Sequence, residues 1–188
     1  MQVIHDLAAD GPANMQRDLD LLQSLDDELL LRLYQWTPNW ISYGYFQTET
    51  KAKAQFSEPE LQFVQRPTGG GLVDHRNDFT YTLLIPKQHS LAKLSRSDCY
   101  LRVHQQVQQA LTNDGHSCTL ITKETGAGPS CFQHPVPGDI IDPHSEQKLA
   151  GAAQRRTRHG LLHQGSIQIP SLNSACLQTA FTGFIDNL

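Results

Sequence analysis

Several features of this 188-residue sequence have residue types and spacings that can do chemistry. Thr68-Gly69-Gly70-Gly71 follows the alternating segment Leu61–Gln65 and the pair Arg66-Pro67. Consecutive glycines can adopt dihedral angles closed to other residues, approach a ligand closely and turn amide N–H groups toward it. The alternative is a flexible turn. The order strand–RPTGGG–strand is not the strand–glycines–helix of a dinucleotide fingerprint, and no Lys-Ser/Thr follows as in a Walker loop. Arg66 offers a planar fork suited to a carboxylate or phosphate, or else stands solvated at a strand end. Lys148 opens the segment KLAGAAQ, whose Ala150, Gly151, Ala152 and Ala153 leave space for a ligand beside the backbone. A cation there can stabilise negative charge developing on an oxygen; taken alone, it reads as a solvated surface charge. Cys131 lies in a Gly/Pro/Ser-rich loop, Thr125–Pro137, 17 residues before Lys148. The thiolate is the nucleophilic form of cysteine, and a nearby cation such as Lys148 favours it. The other reading of Cys131 is a small apolar loop residue.

The remaining reactive side chains carry less. Cys99, Cys118 and Cys176 sit in helix or strand patterns and read as structural; no C-x-x-C pair suggests a zinc knuckle. Nine histidines are present, and none pairs as H-x-x-x-H on a predicted helix, so no metal site is indicated. His75 ends the stretch RPTGGGLVDH, four residues after Gly71, and His163 lies in LLHQGSI. Arg155, Arg156, Arg158 and His159 form a basic turn, either a solvated hairpin or a docking patch for acidic partners, since opposite charge raises encounter rates.

These residues need elements to position them. Met15, Leu19, Leu22, Leu25 and Leu29 recur at helical spacing and predict a helix over Ala13–Leu30 with Asn14 as its cap. Alternation predicts strands at Leu31–Trp36, Trp40–Phe46, Leu61–Gln65, Phe79–Ile85 and Ser117–Thr122. Leu94–Leu111 reads as an amphipathic helix with Leu101, Val103, Val107 and Leu111 on its apolar side. Asp139–Asp142, Lys148–Gln154 and Leu161–Ile169 read as further strands, and a helix is predicted from Leu172. Strands in runs with helices at intervals indicate α+β.

Bulk properties exclude several classes. The net charge of -4 argues against general nucleic-acid binding. No apolar run approaches the ~20 residues that span a bilayer, and Met1–Asp10 lacks the features of a signal peptide. The expected compartment is therefore the cytoplasm, where disulfides are not expected.

Five stretches in order resemble the biotin/lipoate protein ligase family, in its lipoate ligase and cysteine-dependent octanoyltransferase branch. They are GPANMQRDLDLL, RLYQWTPNWISYGYFQ, RPTGGGLVDH with the following FTYTLLIP, KLAGAAQ and LLHQGSI, and they span roughly Asn14 to Ile169. The resemblance implies one catalytic domain over residues 1–188, with a large mixed β-sheet, a smaller sheet and flanking helices. It implies an acyl pocket involving Arg66, Thr68, Gly69, Gly70, Gly71, His75, Gly151, Ala152, His163 and Gly165. Lys148 stands where the family's lysine touches the activated acyl carbonyl. Cys131-Phe132 stands where cysteine-dependent octanoyltransferases carry their nucleophile. His163-Gln164-Gly165 departs in order from the Gln-His-Gly or His-His-Gly run of relatives.

The implied activity moves an octanoyl or lipoyl group from an acyl carrier protein, through Cys131, to a lysine of a lipoyl domain. That domain would belong to a 2-oxoacid dehydrogenase E2 or a glycine cleavage H protein, and the transfer needs no cofactor. One alternative is a lipoate–protein ligase that uses ATP and Mg2+ to form lipoyl-AMP. Gly69–Gly71, in place of a Gly-Gly-Arg ending, leans that way; a chain ending soon after its last motif, without room for a further C-terminal domain, leans against it. The other alternative is a non-catalytic binder of lipoyl-type ligands or carrier proteins. With a lysine pKa near 10.4, only about one amine in a few thousand is free base at pH 7. A base is therefore required, and the sequence does not name it.

Overall fold

The computed structural model describes residues 1–122 and 135–185. Gln2–His5 forms β1, which lies parallel to β2 (Leu30–Tyr34), with Gln2 opposite Leu30. Helix α1 (Gly11–Gln23) connects them. Asp10, not Asn14, caps it, its carboxylate accepting the Ala13 N–H at 2.8 Å. Pro12 fits the first turn, where its missing N–H removes no helical bond. The helix therefore begins before the predicted Ala13, and Leu25 and Leu29 lie beyond its end. Asn14 is buried inside the helix and donates to the carbonyls of Ala9 and Gln35 at 3.1 and 3.2 Å.

The alternation of β2 suggested one wet face, yet all five of its residues are buried. Arg32 is accommodated by charge. Its Nε lies 2.7 Å from Asp6, and one terminal nitrogen lies 2.8 Å from the buried Asp18. The other donates to Asn14 Oδ1 at 2.8 Å. Burial raises the Asp18 carboxyl pKa, and the Arg32 guanidinium opposes that rise.

The chain continues through β3 (Trp40–Tyr43), α2 (Glu49–Lys53), β4 (Gln62–Gln65), β5 (Val73–Asp74) and β6 (Phe79–Pro86). Then come α3 (Ser90–Lys93), α4 (Arg96–Asn113), β7 (Thr119–Leu120), β8 (Ile140–Ile141), β9 (Lys148–Arg156), β10 (Gly160–Ile167) and α5 (Ser174–Ile185). Among the described residues the strands form a seven-stranded sheet, β1-β2-β6-β10-β9-β8-β7, and a three-stranded sheet, β4-β3-β5. This is the α+β arrangement of a large mixed sheet, a smaller sheet and flanking helices.

The large sheet is covered on both faces. On one, Leu83 and Ile85 of β6 pack with Val103, Val107 and Leu111 of α4 and Phe181 of α5. On the other, Leu84 and Leu162 pack with Leu21 and Leu22 of α1. Strand alternation sends neighbouring residues to opposite layers. On α4 the buried stripe is Cys99, Val103, Val107, Ala110 and Leu111; Leu101 is exposed, because a spacing of two residues from Cys99 and from Val103 puts it on the opposite side of the helix.

Candidate functional site

Register builds the site. In the β9–β10 pairing, Gly151 lies opposite Ser166 and Ala153 opposite Gln164, so these four share one face. They form a wall of a cavity of about 150 Å³, with Met15 of α1, Trp36, His75, Lys148 and the Gly70–Gly71 backbone around it. Ala152, Gly165, Arg66 and Asp139 also line it. Most of the lining is apolar, which suits a hydrocarbon chain, and polar groups converge at Lys148.

The glycine loop is held rigidly. Arg66 is buried, and its guanidinium donates to the carbonyls of Gly69 and Gly71 at 3.0 and 2.7 Å, and to Ser42 O and Oγ at 3.0 and 2.8 Å. Its fork clamps the loop, and it is not a solvated strand-end arginine. Gly70 has φ 89°, a left-handed conformation that glycine adopts without penalty. Gly44 presses on it: a Cβ added there would lie 2.0 Å from the Gly70 oxygen. Thr68 and Gly69 sit behind the lining residues. The buried Thr68 hydroxyl donates to Gln164 Oε1 at 2.6 Å, and Gln164 Nε2 donates to Asp18 at 2.7 Å. Helix α1 is thereby tied to the loop.

His75 belongs to a buried chain of hydrogen bonds. Its Nε2 lies 2.6 Å from Ser42 Oγ and its Nδ1 lies 2.8 Å from Asp78 Oδ2, while its ring stacks on Trp36 at 3.8 Å. Arg66 already donates to Ser42 Oγ, so the network assigns the Ser42 proton to Nε2 and the Nδ1 proton to Asp78. Asp78 Oδ2 also accepts from Ser166 at 2.6 Å. Sequence reading missed Ser42, Asp78 and Trp36. The local signal available was the polar run Asp74–Asp78 standing between two apolar strand segments.

Lys148 is a buried cation, not a surface charge. Its side chain runs across Gly151, where an added Cβ would lie 2.4 Å from Cε and 2.5 Å from Nζ. Nζ meets Asp139 Oδ2 at 2.7 Å, with the two side chains 8% and 1% exposed. Asp139 also accepts from the Tyr100 hydroxyl at 2.5 Å and the Val136 N–H at 2.8 Å. The Tyr100 oxygen in turn accepts the Ala152 N–H at 2.9 Å. Burial, followed by the charge of Asp139, pushes the Tyr100 pKa up, so the phenol stays protonated as a donor. Asp139 and Tyr100 were not foreseen: one precedes a short strand, the other lies on a helix, and only packing joins them to Lys148.

His163 does not line the cavity. The pleat turns it to the α4–α5 side, where it contacts the Tyr81 hydroxyl at 3.1 Å and Gln154 at 2.9 Å. Burial lowers its pKa well below the ordinary value. Gly165 is required there because a Cβ would lie 2.2 Å from the Tyr81 ring. Cys131 lies outside the described residues. On the chain flanking that segment, Gly138 N–H donates to Ile121 O at 2.8 Å, and Val136 lines the cavity.

The three arginines are exposed and tethered differently. Arg155 donates to Pro67 O at 3.2 Å and covers the Tyr45 ring at 5.1 Å. Arg156 donates to the carbonyls of Ala92 and Leu94. Arg158 Nε donates to His159 Nε2 at 2.9 Å. Among the described residues, no cluster of three or more His, Cys, Asp and Glu could hold a metal, and no helix is long and apolar enough to cross a membrane.

Comparison with known proteins agrees with this geometry. Residues 10–181 match the family described as lipoyl protein ligase A/B catalytic domain. Octanoyltransferase LipM of Halalkalibacterium halodurans is 28% identical over 170 residues, covering 84% of this chain and 62% of that protein. The chain thus spans less than two thirds of that relative's length. Protein Ta0514 of T. acidophilum, solved with bound lipoic acid, shares the fold with a TM-score of 0.73 at 15% identity, covering 98% of this chain and 85% of that one. A lipoate-protein ligase A bound with ATP superposes with a TM-score of 0.72 at 16% identity, covering 98% and 85%. The chain belongs to the lipoyl protein ligase A/B catalytic domain family.

Proposed function

We propose that this protein transfers an octanoyl or lipoyl group to a lysine of a lipoyl domain through a thioester on Cys131. The observation that carries the reading is the buried Lys148–Asp139 pair, 2.7 Å apart, on the wall of a largely apolar cavity whose other side is the clamped glycine loop. The curated LipM relatives are named octanoyltransferases, which favours transfer over adenylation.

In the first step the Cys131 thiolate attacks the acyl thioester of an acyl carrier protein, and the carrier thiolate leaves. Exchanging one thioester for another is nearly balanced, so the intermediate forms and discharges readily. The lysine amine then attacks the acyl-enzyme, the Cys131 thiolate leaves, and an amide forms. Lys148 stabilises the oxyanion in both steps, with the Gly70–Gly71 backbone alongside, and Asp139 fixes the ammonium so that little reorganisation is needed. The acceptor ammonium must lose a proton first. Val136, five residues after Cys131 in the sequence, lines the same cavity as Lys148, which supports this pairing of roles. No step requires ATP or a metal. Acidic carrier and acceptor proteins would be drawn to the Arg155–Arg158 turn.

The test is intact-mass measurement after incubation with octanoyl-carrier, beside a second reaction supplied with lipoate and ATP. We expect an octanoyl adduct that is absent in Cys131→Ser, whose transfer to a lipoyl domain also stops. Full activity in Cys131→Ser removes the covalent route, and lipoate-dependent pyrophosphate release would establish the ligase instead.

A further inference from the structure

We propose that Tyr45 and Phe46 anchor an acidic protein domain that brings the acceptor lysine to the cavity; this rests on the transfer reading above. Phe46 is 90% exposed and Tyr45 49% exposed, and their rings meet edge to face at 5.3 Å and 90°. Single exposed apolar residues are ordinary. This pair differs in being held rigidly at the site. Tyr45 N–H donates to Thr68 O at 2.8 Å, Gln65 Nε2 donates to Tyr45 O at 3.0 Å, and Gln47 N–H closes the turn onto Gly44 O at 2.9 Å. Gly44 in turn packs on Gly70, which lines the cavity. Rigid, exposed aromatic rings are what interface anchors are made of, because ordering them on binding loses little entropy.

Charge selects the occupant. Arg155 covers the Tyr45 ring at 5.1 Å. The two adjoining segments, 49–53 and 155–158, bring Lys51, Lys53, Arg155 and Arg158 against the single acid Glu49, which pairs with Lys53 at 2.6 Å, while Arg156 turns to the carbonyls of Ala92 and Leu94 on the other face. The chain as a whole has net charge -4, so this rim is basic against the general trend. A second copy docked here isologously would set the same cations against each other. An acidic domain presenting a lysine fits both the charge and the position beside the glycine loop.

The probe is an unacylated lipoyl domain, with hydroxylamine as a small acceptor that needs no docking and octanoyl-carrier as donor. We expect Phe46→Asp to raise KM for the lipoyl domain at least tenfold, while hydroxamate formation stays at the wild-type rate. Added salt should raise the wild-type KM for the domain. An unchanged KM, or equal losses with both acceptors, overturns the proposal, as does a wild-type dimer that Phe46→Asp dissociates. Direct calorimetric titration of the lipoyl domain separates the two readings. Binding that depends on Phe46 without any hydroxamate retires the transfer chemistry and keeps the docking surface; hydroxamate formation with binding indifferent to Phe46 does the reverse.

Discussion

Adding one methyl group at position 151 should misplace the lysine on which the site depends. In Gly151→Ala the new Cβ would lie 2.4 Å from Lys148 Cε and 2.5 Å from Nζ. Carbon atoms rest about 3.5–4.0 Å apart, so the end of the lysine must retreat by about 1 Å or more. Asp139 cannot follow freely, because Tyr100 and the Val136 N–H hold its carboxylate at 2.5 and 2.8 Å. A displacement of about 1 Å in a positioned catalytic group costs on the order of 10²-fold in rate, or about 2.7 kcal/mol in the barrier. The fold should survive, because the clash is with the far end of a flexible chain, and we expect a stability loss of about 1 kcal/mol. The assay is kcat for octanoyl transfer to a lipoyl domain, read beside a thermal melt, with Lys148→Ala as the reference for complete loss of the ammonium. Gly151→Ala running within threefold of wild type, with its fold intact, would refute the role assigned to the Lys148–Asp139 geometry.

Two further predictions concern stability. Arg32→Met strands the fully buried Asp18 without its cation; losing one partner of such a pair costs about 3–5 kcal/mol. At roughly 2–4 °C per kcal/mol for a chain of this size, Tm should fall by about 6–20 °C; a melt within 2 °C of wild type would contradict the buried-pair account. The second concerns His104, whose Nδ1–H donates to Gly138 O at 2.6 Å while Nε2 has no partner among the described residues. Burial lowers its pKa from 6.5 to about 4. Between these values the unfolded chain binds the proton and the folded one does not. The stability this group contributes is therefore complete above pH 6.5 and is lost as pH falls toward 4, by up to about 3 kcal/mol. Urea midpoints at pH 7 and pH 4.5 should diverge in wild type and converge partly in His104→Phe; an equal acid loss in both proteins would show that the destabilisation comes from other groups.

Much of the fold could be read from local pattern. Strand β6, helix α4 and the Gly69–Gly71 loop carry their own signals: a run of β-branched and aromatic residues, helical spacing and consecutive glycines. Helix α1 was legible as a helix but not in its limits. Asp10 and Pro12 set its start, while the apolar spacing that continues through Leu25 and Leu29 belongs to the approach to β2. Strand β1 has only four residues and is stabilised by pairing with β2, a contact that no local pattern encodes.

The sequence by itself determined the chemistry on offer: a lysine beside small residues, a glycine loop, an arginine and a cysteine in a Gly/Pro-rich segment, in an order that resembles one family. Only the tertiary structure decided how they are used. It buried Lys148 against Asp139, turned Arg66 inward as the clamp of the loop, and linked His75 to Ser42 and Asp78. It also turned His163 away from the cavity. The reason is physical. A residue's type fixes what it can donate, accept or ionise, whereas burial, strand register and the partners brought from distant segments decide which of those capacities the folded protein expresses.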